Sequence, residues 1–329
     1  LAADLADNNG PNESTALRPS ASAMRDPVRS KDTTPLLKGL LQQRPGSARR
    51  DRVELTGLGF DWPNAGMVHG IDHLLGYNPL RLDIITQAVG ARDTIAGWDQ
   101  RHFSALFPSY ASRLADLIGL RYIATSVPIE EIDAKLTPGD LRFIARTADA
   151  YVYENPRAYP RVMFAPGAAR ADFADIVRTG IWPVFDPAET VLLERVPALA
   201  PVNATRRLAA PLARASVRML AYENTRVEID VDTPTAGFVV LNDVWHPWWE
   251  ATVDGAGSAL LRANVMFRAV AVPPGRHRVV FEFHPIAGAF EELAGKLRGH
   301  ERQLVAVAKP VVGASTIAPA DDTSPRAAP

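Results

Sequence analysis

At 329 residues the chain is long enough to bury a sizeable core and to hold two domains. Its 36 lysines and arginines balance 37 aspartates and glutamates, so it carries no basic footprint for nucleic acid or for an anionic membrane surface. The absence of cysteine excludes disulfides, thiolate catalysis and cysteine-ligated zinc, and 27 prolines argue against an all-helical bundle. Residues 1–49 are polar and interrupted by Pro11, Pro19, Pro27, Pro35 and Pro45, which predicts extended or mobile chain with one short helix around Leu36–Gln42. Within it, Asn12-Glu13-Ser14 is either a glycosylation sequon or a plain polar loop.

From residue 50 the pattern changes. Arg52-Val53-Glu54-Leu55 alternates as a strand, and Leu82 to Val89 reads as a short helix ended by Gly90. Leu114, Leu117 and Ile118 give Tyr110–Leu120 helical spacing, with Gly119 as a stop, and Leu120–Thr125 follows as a strand. Phe143–Tyr153 alternates less cleanly, and "YENPRAYPRVMF" reads as two strand segments about a proline turn. Ala171–Arg178 is an amphipathic helix capped by Gly180, and Thr190–Val196 a strand. Helices alternating with strands predict a mixed α/β domain over 50–205, closed by an Ala/Pro-rich linker from Pro197 to Pro211.

The remainder reads as strands and tight turns. Val217–Tyr222 and Arg226–Val231 turn at Glu223-Asn224-Thr225, and Phe238–Leu241 is a buried strand that ends at Asn242-Asp243. Trp248–Val253 closes on Asp254-Gly255, a strong two-residue hairpin signal. Leu260–Val272 is one long strand, or two broken near Asn264; Pro273-Pro274-Gly275 turns the chain into the last strand, Arg278–Phe283. The expected fold is therefore α+β: the mixed α/β domain, then an antiparallel β-sandwich of jelly-roll or Ig-like type over 206–285, then a short helix and disordered tail over 286–329. Leu304–Ala320, the longest apolar stretch, is broken by Lys309-Pro310 and falls short of the roughly 20 residues a membrane helix needs. The opening Leu-Ala-Ala-Asp has no signal-peptide character, and a chain starting at leucine reads as a fragment.

Several groups have side chains suited to chemistry. His69 and His73 are spaced to share a helix face with Asp72 between them, but Gly70 makes that helix doubtful and no third zinc ligand is apparent; structural or surface histidines are the favoured reading. Trp245, Trp248 and Trp249, with His246, Glu250 and Asp254, could stack a sugar ring and bind its hydroxyls, or could simply be core and turn. Strand alternation puts Trp248 and Glu250 on one side and Trp249 on the other, so at least one indole is core. Glu250 and Asp254 would serve glycoside hydrolysis only at the carboxylate separations that chemistry needs, and aspartate also suits the turn for conformational reasons. No phosphate loop, nucleophile elbow or dinucleotide fingerprint is present, and no cofactor or metal is expected.

"NDVWHPWWEATVDG" followed by "RANVMFRAVAVPPGRHRVVFEFHP" resembles the C-terminal extracytoplasmic region of the YfhO family of bacterial membrane proteins, which have a GT-C-type glycosyltransferase architecture. The matching positions are Pro247, Trp249, Ala251, Val253, Asp254 and Gly255, then Arg262, Asn264, Phe267, Arg268, Ala269, Val270, Pro273, Gly275 and His277; Trp248 stands where the family usually has glycine. Earlier matches are Asn64, Gly76, Tyr77, Pro79 and Leu80, the run Gly119–Ile123, and Asn155, Pro160, Arg161 and Phe164. Arg262, Asn264 and Arg268 share strand parity; with His277 they would bind phosphate or sugar, or satisfy backbone carbonyls, the second being the favoured reading. The charged "AGAFEELAGKLRGHERQ" departs from the family's last membrane helix.

The resemblance implies an extracytoplasmic (periplasmic) accessory domain of a membrane glycosyltransferase that moves sugars from polyprenyl-phosphate carriers to cell-envelope polymers. Residues 1–49 would then be a juxtamembrane linker. The catalytic acidic residues would lie beside early membrane helices outside this sequence, so the chain would not transfer sugars alone. Its partners would be the membrane-spanning part of the same protein and a glycan or polyprenyl-phosphate sugar. A stand-alone carbohydrate-binding module would instead expose a tryptophan pair in a groove, and a purely structural domain would bury all three tryptophans.

Overall fold

A computed structural model describes residues 33–43, 50–59, 66, 69–75, 82–90, 97–197, 215–290, 293 and 294. The resemblance positions Asn64, Gly76, Tyr77, Pro79 and Leu80, the sequon, most of 1–49, nearly all of the expected linker and the tail beyond 294 lie outside the described residues. The described residues up to Phe283 belong to one compact unit; those from His284 belong to a second, in which residues 285–290 are helical. Among the described residues no helix is long and apolar enough to cross a membrane.

The chain is α+β and mostly sheet. The first sheet has the order β1-β2-β4-β3, from β1 (Arg52–Thr56), β2 (Leu120–Thr125), β3 (Arg142–Arg146) and β4 (Tyr151–Glu154). β1 and β2 are parallel and the other pairs antiparallel. All six residues of β2 are buried because both faces of this sheet are covered. Tyr122 and Ala124 point to a cluster containing Leu37 of α1 (Thr33–Gln42), whereas Ile123 points to the opposite cluster. That second cluster takes in Ala88 and Val89 of α2 (Asp83–Val89), Phe107, Tyr110, and Leu114 of α3 (Arg113–Leu117). A further short helix, α4 (Ile129–Ile132), places Ile129 in the same cluster.

Two more sheets make a sandwich. One has the order β5-β10-β14-β13-β7-β6, from β5 (Val162–Ala165), β6 (Gly167–Arg170), β7 (Thr190–Leu193), β10 (Gly237–Val244), β13 (Leu261–Ala263) and β14 (Phe267–Val272). The other has the order β12-β11-β15-β9-β8, from β8 (Ser216–Tyr222), β9 (Arg226–Thr233), β11 (Trp249–Val253), β12 (Ala256–Ser258) and β15 (Gly275–Phe283). Val239, Leu241 and Val270 from the first meet Val227, Ile229, Val279 and Phe281 from the second. Each such side chain, fully buried, contributes about 2 kcal/mol of transfer free energy. Sheet pairing crosses residue 205: β5, β6 and β7 precede it and yet lie in the same sheet as β10, β13 and β14.

Local chemistry explains the joints. α5 (Phe173–Thr179) starts on Asp172, whose carboxylate accepts the Asp175 N–H, and ends at Gly180 with φ 70°. A Cβ at Gly180 would sit 2.0 Å from the Ala105 carbonyl oxygen, so the close approach also requires glycine. Asp254 and Gly255 both have positive φ, 53° and 81°, the two-residue hairpin turn that joins Val253 to its partner Ala256. The 260–272 segment is two strands, because Asn264 and Val265 turn at φ 44° and 77°.

Candidate functional site

The tryptophans do not form one platform. Trp249 opens β11 with its ring against the sandwich core, 3.8 Å beneath the Arg268 guanidinium and 5.1 Å from the Phe283 ring. Trp248 lies in the preceding turn, half-buried, with the His246 ring edge-on at 4.6 Å and Phe283 at 6.0 Å; its backbone N–H donates to His246 Nδ1. Trp245 is also half-buried, although its Nε1 is fully enclosed and without a hydrogen-bond partner.

The two carboxylates proposed for hydrolysis are placed apart. Glu250 is exposed opposite Glu282 on the neighbouring strand, whereas Asp254 occupies the turn at the far end of β11. Four strand residues separate their backbones by about 13 Å. Asp254 is engaged locally: its Oδ2 is 2.7 Å from His277 Nδ1 and its Oδ1 accepts the Arg278 N–H at 2.8 Å. The hydrogen bond from His277 holds the Asp254 carboxyl below the usual carboxylate range, and the same bond raises the histidine.

The β13–β14 pair directs its polar residues to different ends. Arg262 and Arg268 are direct cross-strand partners, but Arg268 reaches Trp249 and Phe281 of the facing sheet while Arg262 donates Nε to the Val265 carbonyl and lies 5.6 Å from the Phe173 ring centre. Asn264, fully buried, extends the ladder toward β7: its N–H donates to the Leu192 carbonyl and its Oδ1 accepts the Leu192 N–H, both at 2.9 Å. A left-handed φ and a side chain that imitates a strand edge explain asparagine at this position.

His73 is also structural. Its Nε2 accepts the Leu55 N–H at 2.8 Å, and burial pulls its pKa down to about 3, so the ring is neutral. Its neighbour Asp72 accepts from Arg50 and Arg161. Among the described residues no three histidines or carboxylates cluster to hold a metal ion.

Two buried polar clusters were not expected from local pattern. In the first, Asp243 is the hub: Oδ1 accepts from Arg52 Nη2 at 2.5 Å and Arg161 Nη1 at 3.1 Å, and Oδ2 from Tyr222 Oη at 2.9 Å and Arg268 Nη2 at 3.2 Å. Burial alone would raise this carboxyl, but Arg161, Arg52 and Arg268 overcome it and hold the pKa well below the usual range. Burial, helped by Arg161, lowers Arg52 to about 10, and burial also lowers Arg268. The sequence signal was a strand followed by Asn242-Asp243; its polar end is in fact buried beneath the arginines.

In the second cluster Glu54 Oε1 accepts from Arg101 Nε at 2.8 Å, Tyr110 Oη at 2.7 Å and Thr56 Oγ1 at 3.1 Å. Arg101 is clamped further by the Val89 and His102 carbonyls and by the Phe103 ring at 4.4 Å. Burial and the adjacent Glu54 push the Tyr110 hydroxyl far above its ordinary pKa. A phenol so hard to ionise, beside a carboxylate fixed by three donors, suits a structural lock joining β1 to the 101–110 segment.

An open cleft of about 430 Å³ lies where α2, α5, the end of β7 and β13 meet. Apolar side chains, among them Val265 and the edge of Phe173, line it alongside Gln87, Arg178, Glu194 and Arg262. Arg262 is thus the candidate that opens onto a concavity, whereas Asn264 and Arg268 are buried and Trp249 packs into the core. Compared with family models, curated proteins and solved structures, the chain matches none.

Proposed function

We propose that this chain is the non-catalytic extracytoplasmic part of a YfhO-like membrane glycosyltransferase, a mixed α/β region leading into a jelly-roll or Ig-like sandwich that holds donor or acceptor near the periplasmic face of the cytoplasmic membrane. The reading starts from the resemblance. The observation that carries it further is that most of the described polar residues of the shared pattern, Arg262 excepted, are engaged in holding the fold rather than grouped around a reacting atom. Arg121 donates to the Asn155 and Ala158 carbonyls, Asn155 to Asp116, Arg161 and Arg268 to Asp243, Asn264 pairs with Leu192, and His277 with Asp254. A rigid module suits an accessory role, in which geometry is supplied to a membrane-embedded partner. The half-buried Trp248 beside His246 favours, as a second reading, a stand-alone carbohydrate-binding module.

The test is location. An antibody against the chain, applied to fractionated cells of the source organism, should find it in the membrane pellet after alkaline carbonate washing, and external protease should cleave it in spheroplasts. Recovery in the soluble cytoplasmic fraction would overturn the membrane reading, while recovery as a soluble periplasmic protein would select the stand-alone module.

A further inference from the structure

We propose that the cleft between α2, α5 and β13 binds a saccharide bearing an acidic group, uronate or phosphate, with Arg262 taking the anion and Glu194 the ring hydroxyls. The proposal deepens the accessory-domain reading, from which it takes saccharide as the ligand class. Its volume, about 430 Å³, falls within the range of small-ligand sites and has room for one or two sugar rings.

Arg262 is held before any ligand arrives. Its backbone is in β13, its Nε donates to the Val265 carbonyl, and its guanidinium lies 5.6 Å from the ring centre of Phe173, which is itself buried. The two Nη groups keep their donors: among the described residues Arg262 has no ion-pair partner, and neither does the exposed Glu194, which lies beside it where the antiparallel β7–β13 pairing continues past Leu193 and Ala263. Arg178, by contrast, is neutralised by Asp175 one turn earlier on α5. A half-buried guanidinium with a free fork matches the paired oxygens of a carboxylate or phosphate, and a carboxylate accepts from adjacent hydroxyls. The apolar side chains lining the cleft suit the C–H face of a sugar ring. A nucleobase would need an open aromatic face, and Arg262 already covers Phe173.

Titration calorimetry on the 329-residue chain, with galacturonic acid, glucose 1-phosphate and glucose as probes, tests the proposal. The acidic probes should saturate at millimolar concentration and glucose should bind about tenfold or more weaker, the difference one charge-assisted hydrogen bond supplies. Which acidic probe binds better identifies uronate or phosphate as the anion. Arg262→Ala should remove the preference for acid, Arg262→Lys should restore part of it, and Glu194→Gln should weaken all three probes. Arg278→Ala, in β15 and away from the cleft, should change nothing. Equal binding of glucose and the acidic probes, binding indifferent to Arg262→Ala and Glu194→Gln, or no binding of any probe would each overturn the site. Should Arg262→Ala fail to fold, the Lys and Gln variants still decide. None of these outcomes bears on membrane location, so the site and the accessory reading fail separately.

Discussion

Asp243→Ala is the substitution with the largest expected effect on the described unit. The carboxylate is buried and accepts four hydrogen bonds, three of them from the guanidiniums of Arg52, Arg161 and Arg268. Its loss leaves those cations buried around an uncompensated void, and Asp72 faces only the Arg161 side of the group. Removing one partner of a buried charge pair typically costs about 4 kcal/mol, a large part of a total stability on the order of 10 kcal/mol. Urea denaturation followed by far-ultraviolet circular dichroism should therefore show the midpoint lowered by about 1 M or more at an unchanged slope. Asp243→Asn, which keeps the shape but not the charge, should lose somewhat less. Arg218→Ala, which breaks the exposed Arg218–Asp230 pair, is the control and should stay within about 0.5 kcal/mol. The pH dependence carries the same logic. Because the arginines depress the folded carboxyl below its unfolded value of roughly 3.9, its stabilisation is complete above that pH and is lost as pH falls toward the folded pKa. Asp243→Asn should flatten the acid limb of the stability curve. A loss below about 1 kcal/mol for Asp243→Ala, with an unchanged acid limb for Asp243→Asn, would refute the view that this carboxylate is the hub.

The remaining predictions concern single sites. His73, whose pKa burial lowers to about 3, should show no imidazole titration by NMR between pH 7 and pH 5; stability should fall from about pH 6.5 downward, because the unfolded ring takes up a proton first. An ordinary midpoint would place the ring in solvent. Gly180→Ala should lower the melting temperature by the equivalent of more than about 1 kcal/mol, since the substitution meets both a positive φ and the Ala105 carbonyl; a neutral result would mean that the end of α5 relaxes. Asp254→Asn should lower the NMR titration midpoint of His277. The His277 charge stabilises the fold below its unfolded pKa, and that contribution is lost as pH rises through the raised folded value, so the variant should lose stability on the acidic side of neutrality.

Much of the local structure was legible because it rests on neighbours in the chain. Asp254-Gly255 announces its hairpin through backbone conformation alone; Asn264 offered a break in 260–272 as one of two readings, and the structure takes it because asparagine tolerates left-handed φ. Strand alternation implied that one of Trp248 and Trp249 is core, and packing shows that it is Trp249. Asp243 was read as the polar end of a strand because nothing within a few residues compensates its charge; its partners Arg52 and Arg161 lie 191 and 82 residues away in sequence. The cleft was equally hidden, since Arg262 was grouped by parity with Arg268, while the ring beneath it and the carboxylate beside it come from Phe173 and Glu194.

The sequence by itself determined the balance of charge, the freedom from disulfides, the positions of most strands and the chemistry of the tight turns, all properties of composition or of short-range sterics. Tertiary structure alone decided that strands on both sides of residue 205 share one sheet, that Asp243 neutralises arginines from three distant segments, and that Arg262 faces a cleft rather than the core. The reason is physical: a hydrogen bond or ion pair between remote residues depends on how the sheets pack, and hydrophobic patterning states which face is buried but not what that face will meet.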